Sequence, residues 1–519
     1  MTLRKHRPLV AVLLLSGFLS VALWADSRPG PDGDWPSSSQ DKRVEKSFAV
    51  DGRLVSVESN SADIVVEAVA GGQARLVVEL EYWSSNEEWM EAVERDFDVE
   101  IRETPSEISL HVGDMPDAGR KGWFKRIFGS SETFYSVEIT LQVPPGTDLG
   151  IDNRYGDVEI VDIGGALDLV NTSGDIVASG IRGGGDIENS YGDATVTDVE
   201  GGLTLIVTSG KAEVAEVAGD TKVSNRYGEV VISGVTGKLD LETSSSEIEV
   251  QSVTGPAVIV GSYADAEVTD LGSALKIEIS SGNVDLSQIK GRVEVAASYG
   301  AVRIDGVGEG LVVRSSSGEI EARDIGGAAK VENSYGTVLL EEIRGSVEIN
   351  NPSGGVTVVD VQGDVWIRSS YEAVRVREVS GNLNVSATSS GVRAEDIGGG
   401  AEVTTSYAGV ELIGVGGPVD IRNQSGRVEV RGLSGSALAG QSRVETSYGD
   451  VDFSWPGGAG AMSFTLESTY GSIHSDFAAV SRKRGSRETA EGQAGGGRED
   501  SVATVTISAR SGSIFLRED

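Results

Sequence analysis

No cysteine occurs in the 519 residues, which excludes disulfides, thiol chemistry and a lipid-modified N-terminal cysteine. Histidine is nearly as scarce. His6, His111 and His474 are too few and too dispersed for a zinc cluster or a Ser-His-Asp arrangement, so no catalytic residue, metal site or cofactor is expected. Basic residues are outnumbered, 44 Lys and Arg against 80 Asp and Glu, giving a net charge of −36 that disfavours nucleic acid as a partner. Long apolar runs are absent apart from Leu9–Leu19.

That run follows Arg4, Lys5 and Arg7 and precedes Ala25, the pattern of a secretory signal over residues 1–25. An uncleaved anchor is the competing reading, because Leu23 is large for the position three residues before the cut. Removing residues 1–25 takes away three basic and no acidic residues, so the net charge falls to −39. An exported protein of the periplasm, the cell envelope or the exterior is expected.

What the chain has in abundance is repetition. Tyr155, Tyr191, Tyr227, Tyr263, Tyr299, Tyr335, Tyr371 and Tyr407 recur every 36 residues, and Ser173, Ser209, Ser245, Ser281, Ser317, Ser353, Ser389 and Ser425 stand midway between them. The unit is therefore 18 residues, repeated sixteen times without insertion or deletion. Three, five and eight residues after each Tyr or Ser, every unit carries Ala, Val, Ile or Leu; twelve and fourteen residues after, only Gly185 and Thr221 break the pattern. Spacings of two are strand alternation. One course repeated this strictly predicts an all-β, single-chain β-solenoid (a parallel β-helix, expected to be right-handed) with 18-residue coils and a cap at each end. At ~4.8 Å per coil the sixteen coils make a rod of about 77 Å.

Two further columns bear on the corners. Gly lies ten residues after the Tyr or Ser in fourteen of sixteen units, where a positive φ at a tight corner would explain it. Asn153, Asn171, Asn189, Asn225, Asn333, Asn351 and Asn423 share another, suited to a hydrogen-bonded side-chain ladder.

The flanks are less regular. Residues 26–43 read as a flexible linker, and 44–150 as a divergent N-terminal β region whose insert at 84–132 is the candidate cap. Within it, Ser85-Asn86-Glu87-Glu88 opens a short capped helix through Trp89, Met90, Ala92, Val93 and Phe97. Residues 151–435 form the regular solenoid. In 436–519 the register loosens, with Tyr448-Gly449 and Tyr470-Gly471 at broken spacings, and 481–501 reads as a disordered low-complexity loop.

Two sets of residues are candidate contact sites. The basic, aromatic stretch 119–130, with Trp123, Phe124, Lys125, Arg126 and Phe128, suits either a membrane surface or a flap over the first coil. The tyrosine column is either an alternating large–small packing device at one corner or an exposed ladder on which a sugar or protein could stack. Acidic residues two positions after the Tyr or Ser, among them Asp157, Asp175, Asp193, Glu229, Glu247, Asp265 and Glu319, would pile up along the axis. Their spacing does not match the Gly-rich calcium-binding nonapeptide.

The run Leu141-Gln142-Val143-Pro144-Pro145-Gly146, leading into Tyr155-Gly156-Asp157-Val158-Glu159-Ile160 and Ser173-Gly174-Asp175-Ile176, resembles a bacterial family of uncharacterised β-strand repeat proteins labelled putative adhesins. The resemblance implies an exported or envelope-associated β-solenoid and supplies no catalytic residues. The expected function is a non-enzymatic scaffold or adhesin-like binding protein whose partner is an envelope or extracellular protein or a carbohydrate. A polysaccharide-cleaving β-helix and a self-assembling filament subunit are the alternatives.

Overall fold

The computed structural model describes residues 39–113, 115, 133–457, 461–494 and 502–519. Residues 1–38, where the secretory signal and most of the linker are expected, and 116–132, which hold Trp123, Phe124, Lys125, Arg126 and Phe128, lie outside the described residues.

The apolar spacing produces a β-solenoid. Each 18-residue coil contributes two strands, exemplified by Leu149–Tyr155 and Val158–Val161, followed in the next coil by Leu167–Ser173 and Ile176–Ile181. Every strand pairs in parallel with its equivalent 18 residues on, as Leu167 with Leu149 and Gly185, and Ile176 with Val158 and Ala194. Two faces result, their apolar residues meeting between them. In the columns three, five and eight residues after the Tyr or Ser, no residue is more than 3% exposed. Stacking alone therefore closes the core, which is why the chain needs no cross-link.

The corners follow a different rule from the one expected. The glycines ten residues after the Tyr or Ser have ordinary φ, save Gly435, where the regular register ends; what each requires is space, since a Cβ would come closer than 3.0 Å to atoms of the preceding coil, almost always its backbone. The left-handed conformation sits three residues earlier, in a column that runs Asp162, Gly180, Asp198, Glu216, Gly234, Ser252 and onward to Gly432, with φ between +50° and +80° in all sixteen coils. Asp visits this region at modest cost, but Glu216, Glu342 and Glu378 are strained there. Glu342→Gly is accordingly expected to stabilise the rod by about 1 kcal/mol, with Asp360→Gly gaining less. Chemical denaturation of the two variants checks the order.

The asparagine column also differs in detail. The side chains are buried, yet each donates to backbone carbonyls and not to the next asparagine. Asn171 Nδ2 reaches the carbonyls of Gly156 and Gly174 at 3.1 and 3.3 Å, and Asn333 those of Gly318 and Gly336 at 2.9 and 3.1 Å. All but Asn423, which bonds within its own corner, thus reach the corner before them.

Both ends depart from sequence order. The coil made by Leu54–Ser59 and Asp63–Ala68 stacks directly on Leu149–Tyr155 and Val158–Val161, and its other side is covered by Glu107–Val112 and Thr133–Val143. Antiparallel strands then end the stack: Gln73–Ser84 on Thr133–Val143, Gln40–Ala49 on Gln73–Ser84, and Val99–Glu103 on Glu107–Val112. The helix Glu87–Asp96 joins one face to the other across this end, capped by the Asn86 side chain accepting from the Glu88 N–H. Its Trp89 and Val93 are buried with Phe97, and Trp89 packs edge-on against Tyr82, 6.3 Å between ring centres. The Tyr82 hydroxyl donates to Gln40 and Glu94, and burial, with Glu94 beside it, pushes it up to about 12. Strand Gln40–Ala49 begins inside the stretch expected to be linker to residue 43; its pairing with Gln73–Ser84 recruits it into the cap.

At the far end, Gln441–Tyr448 and Val451–Trp455 continue the stack, followed in space by Ala503–Ala509 and Ile514–Glu518, and only then by Met462–Ser468 and Ile473–Ser475. The described part of the expected disordered loop is instead a hairpin, Ala479–Arg484 with Arg487–Ala494, laid antiparallel on Met462–Ser468. Its composition looks featureless because only one side is buried: Ala490 and Ala494 face inward, and Gly492 leaves room for the Phe464 ring. Arg482, Lys483 and Arg484 line the outermost strand, charges that discourage a further strand from adding.

Candidate tyrosine-ladder binding site

The corner that begins each second face is set by three columns acting together. The residue after the Tyr or Ser is a glycine in most coils, with φ between +122° and +151° from Gly156 to Gly228 and at Gly282, Gly300 and Gly426. At these glycines a side chain would run into the corner of the preceding coil. Its N–H donates to the carbonyl of the next coil's Tyr or Ser, as Gly156 to Ser173 at 2.9 Å. The acidic residue one further on accepts from the next coil's backbone: Asp157 from the Asp175 N–H at 2.7 Å, Asp175 from Asp193 at 2.8 Å, Asp193 from Lys211 at 2.7 Å and Asp265 from Asn283 at 2.7 Å. Where the column is aspartate it is therefore part of the corner's hydrogen bonding, with one oxygen of Asp157, Asp175, Asp193 and Asp265 engaged by backbone.

This construction turns the tyrosines outward. Tyr155, Tyr191, Tyr227, Tyr263, Tyr299, Tyr335, Tyr371 and Tyr407 are between 51 and 71% exposed. The packing reading gives way, because the rings point to solvent and the inward position two residues earlier is already filled, by asparagine before Tyr155, Tyr191, Tyr227 and Tyr335 and by a small residue before the other four. The eight rings share one edge of the rod, spaced ~9.6 Å apart by the two-coil period. The Arg154 guanidinium lies 5.5 Å from the centre of the Tyr155 ring.

The ladder is longer than its regular spacing suggests. Tyr448 stacks over Ser425; Gly512, beside Ser511, approaches the carbonyl of Gly449; and Gly471, beside Tyr470, approaches that of Gly512. Spatial order is thus Ser425, Tyr448, Ser511, Tyr470, and the alternation survives although the chain visits these coils out of turn. At the other end Ala62 donates its N–H to the Tyr155 carbonyl, which puts Ser61 in the preceding rung. Ten exposed tyrosines alternate with serines. The Tyr-Gly and Ser-Gly dipeptides alone carried this signal; the unbroken period was the misleading one.

One stretch of the edge is built differently. Where Ser246 and Ala264 replace the corner glycine, the strands Leu239–Val253 and Ala257–Leu271 run straight through the corner and pair along their length. A shallow groove of about 540 Å³ opens there, lined by Tyr263, Glu247, Asp265, Ser245, Ser281 and Gly282 among others. Among the described residues no cluster of His, Asp and Glu has the makings of a metal site, and no helix is long and apolar enough to cross a membrane.

A family model described as Toastrack DUF4097 matches residues 53–305 and 345–517. No curated protein sequence matches the chain. Two solved structures are similar over much of their length. A putative cell adhesion protein from Clostridium sporogenes is 7% identical, with 92% of this chain and 100% of that chain covered and a TM-score of 0.13. A putative adhesin from Bacteroides fragilis is 13% identical, with 54% of this chain and 97% of that chain covered and a TM-score of 0.21. Superpositions this loose carry nothing about function.

Proposed function

Starting from a chain that belongs to the Toastrack family, we propose that this protein is an exported, adhesin-like binding scaffold of the cell envelope, and that the tyrosine edge is its contact surface. The observation that carries the reading is the set of ten outward tyrosines held in one line by a backbone that has no other use for them. Tyrosine offers a large, rigid, half-apolar surface at low entropic cost, and ten in register multiply weak contacts. The N-terminal Arg4, Lys5, Arg7 and Leu9–Leu19 segment supports export.

A scaffold is favoured over a polysaccharide-cleaving enzyme because the sixteen coils from Leu149 to Leu433 send out no overhanging loop that could enclose a substrate. The filament alternative is opposed by the antiparallel strands at both ends, whose edges carry Lys42, Arg43 and Lys46 on one side and Arg482, Lys483 and Arg484 on the other. Retention of envelope components on the immobilised protein tests the reading. A partner held by the native chain and released at least ~10-fold more readily from a Tyr191→Ala/Tyr227→Ala/Tyr299→Ala variant is the expected result. Retention indifferent to the tyrosines removes them as the contact surface.

A further inference from the structure

The spacing and surroundings of the ladder narrow its ligand further, an inference that rests on the binding role just proposed. We infer that the edge from Tyr155 to Tyr263 binds an extended, uncharged β-1,4-linked glycan, one disaccharide per tyrosine. Three independent features point to it.

The first is pitch. Successive tyrosines stand ~9.6 Å apart because only every second coil carries one. In an extended β-1,4 chain each sugar is turned over relative to the last, so a given ring face returns once per disaccharide, at nearly the same distance. A platform that wants the same face each time must therefore skip alternate sugars, as this ladder skips alternate coils. The small mismatch accumulates, which suits a run of a few disaccharides better than the whole rod.

The second is the company the tyrosines keep. Asp157, Asp193, Glu229 and Asp265 follow Tyr155, Tyr191, Tyr227 and Tyr263 by two residues, whereas Ala301, Thr337, Ala373 and Gly409 hold that place beside the next four. Asp157, Asp193 and Asp265 each use one oxygen on backbone, which leaves the other as an acceptor for a hydroxyl. The residue before the ring is a serine at Ser190 and Ser262 and an arginine at Arg154 and Arg226. An aromatic face with carboxylate and other hydrogen-bonding groups beside it is suited to a neutral sugar, and the carboxylates, which outnumber Arg154, Lys211 and Arg226 along this stretch, disfavour an anionic polymer.

The third is the shallow groove at Tyr263, lined also by Glu247 and Asp265. It lies on the same edge, at the end of the acidic half, and brings one ring and two carboxylates together in a single concavity that a sugar can reach.

Titration calorimetry with soluble cello- and chito-oligosaccharides, from disaccharide to octasaccharide, tests the inference on the purified chain. Affinity is expected to climb by at least about tenfold from tetrasaccharide to octasaccharide as tyrosines are engaged together. The two series distinguish a plain glucan from an N-acetylated one. Malto-oligosaccharides, whose α-linkages coil the chain, are expected to bind at least ~10-fold more weakly than the matching β-linked octasaccharide. Tyr191→Ala/Tyr227→Ala/Tyr263→Ala is expected to abolish the length dependence; because the rings are exposed, circular dichroism should be unchanged, and Tyr335→Ala/Tyr371→Ala/Tyr407→Ala serves as the matched control. Equal binding of α- and β-linked chains, no length dependence, or insensitivity to the first triple variant overturns the inference. Absence of any glycan binding alongside tyrosine-dependent retention of an envelope protein also overturns it while leaving the scaffold reading intact.

Discussion

Trp89→Ala is expected to cost about 3–5 kcal/mol of stability, and to make the purified chain associate as its concentration rises. Trp89 is only 4% exposed, and its ring stands edge-on to Tyr82 on the helix that crosses the N-terminal end of the rod. Truncation leaves a cavity where the two faces would otherwise be open, and it loosens the helix whose Glu94 holds the Tyr82 hydroxyl. The regular coils contain no such residue. Their cores are aliphatic, whereas among the described residues the buried aromatics (Phe48, Tyr82, Trp89, Phe97, Phe453, Trp455 and Phe464) are confined to the coils and strands at the ends. Large rings act there as plugs, filling the space that another coil would fill in mid-rod. Urea denaturation measures the stability loss, and light scattering across a concentration series measures the association. A variant that stays monodisperse would show that the antiparallel edge strands suffice without the helix.

Two adjacent glycines should give opposite results. Gly354→Ala is expected to destabilise by roughly 3 kcal/mol or more, because a Cβ there would drive into the Gly336 carbonyl of the preceding coil, a backbone atom with no freedom to move aside. At Gly355 the nearest atom to such a Cβ is 3.8 Å away, which is ordinary contact. Gly355→Ala should be neutral or stabilise by about 0.4–1 kcal/mol through the stiffer unfolded chain. Paired denaturation curves decide the matter, and equal effects would mean that corners are held by something other than coil-to-coil approach. Ser246 and Ala264 indicate how a corner escapes the conflict: the strand runs straight through, at the expense of the tight turn.

The solenoid itself was legible because its columns obey one rule for sixteen coils; a residue such as Leu340 has Ala322 on one side and Val358 on the other, each 18 residues away, so periodicity in the sequence is proximity in space. The corners were less legible. Composition announces that glycine is needed ten residues after the tyrosine, but not whether backbone angle or backbone approach demands it, and the left-handed column was hidden because Asp, Glu, Ser and Gln occupy it in most coils and glycine in the minority. Burial of the asparagines is likewise invisible in a residue type usually found outside. For the tyrosines, alternation with serine read as packing because size alternation is what packing produces; only the backbone path reveals that the column lies on the convex side of the turn. The ends resisted for another reason. Their partners, such as Val55 with Leu149 or Val451 with Ile514, are separated by intervals that no period predicts.

Those interleaved ends have a mechanical meaning. In a simple coil stack, tension on a terminus peels the outermost coil, then the next, each giving way bond by bond as tape lifts from a roll. Here Ala503–Ala509 and Ile514–Glu518 are gripped on both sides, between Gln441–Trp455 and Met462–Ser475. At the opposite end the outermost strand, Gln40–Ala49, is held among the described residues on one flank alone, by Gln73–Ser84, while Leu54–Ala68 lies between two neighbours further in. A pull along the strands after Ala503 must therefore shear two hydrogen-bonded flanks at once, and resistance to unravelling is greater at that end than at the other.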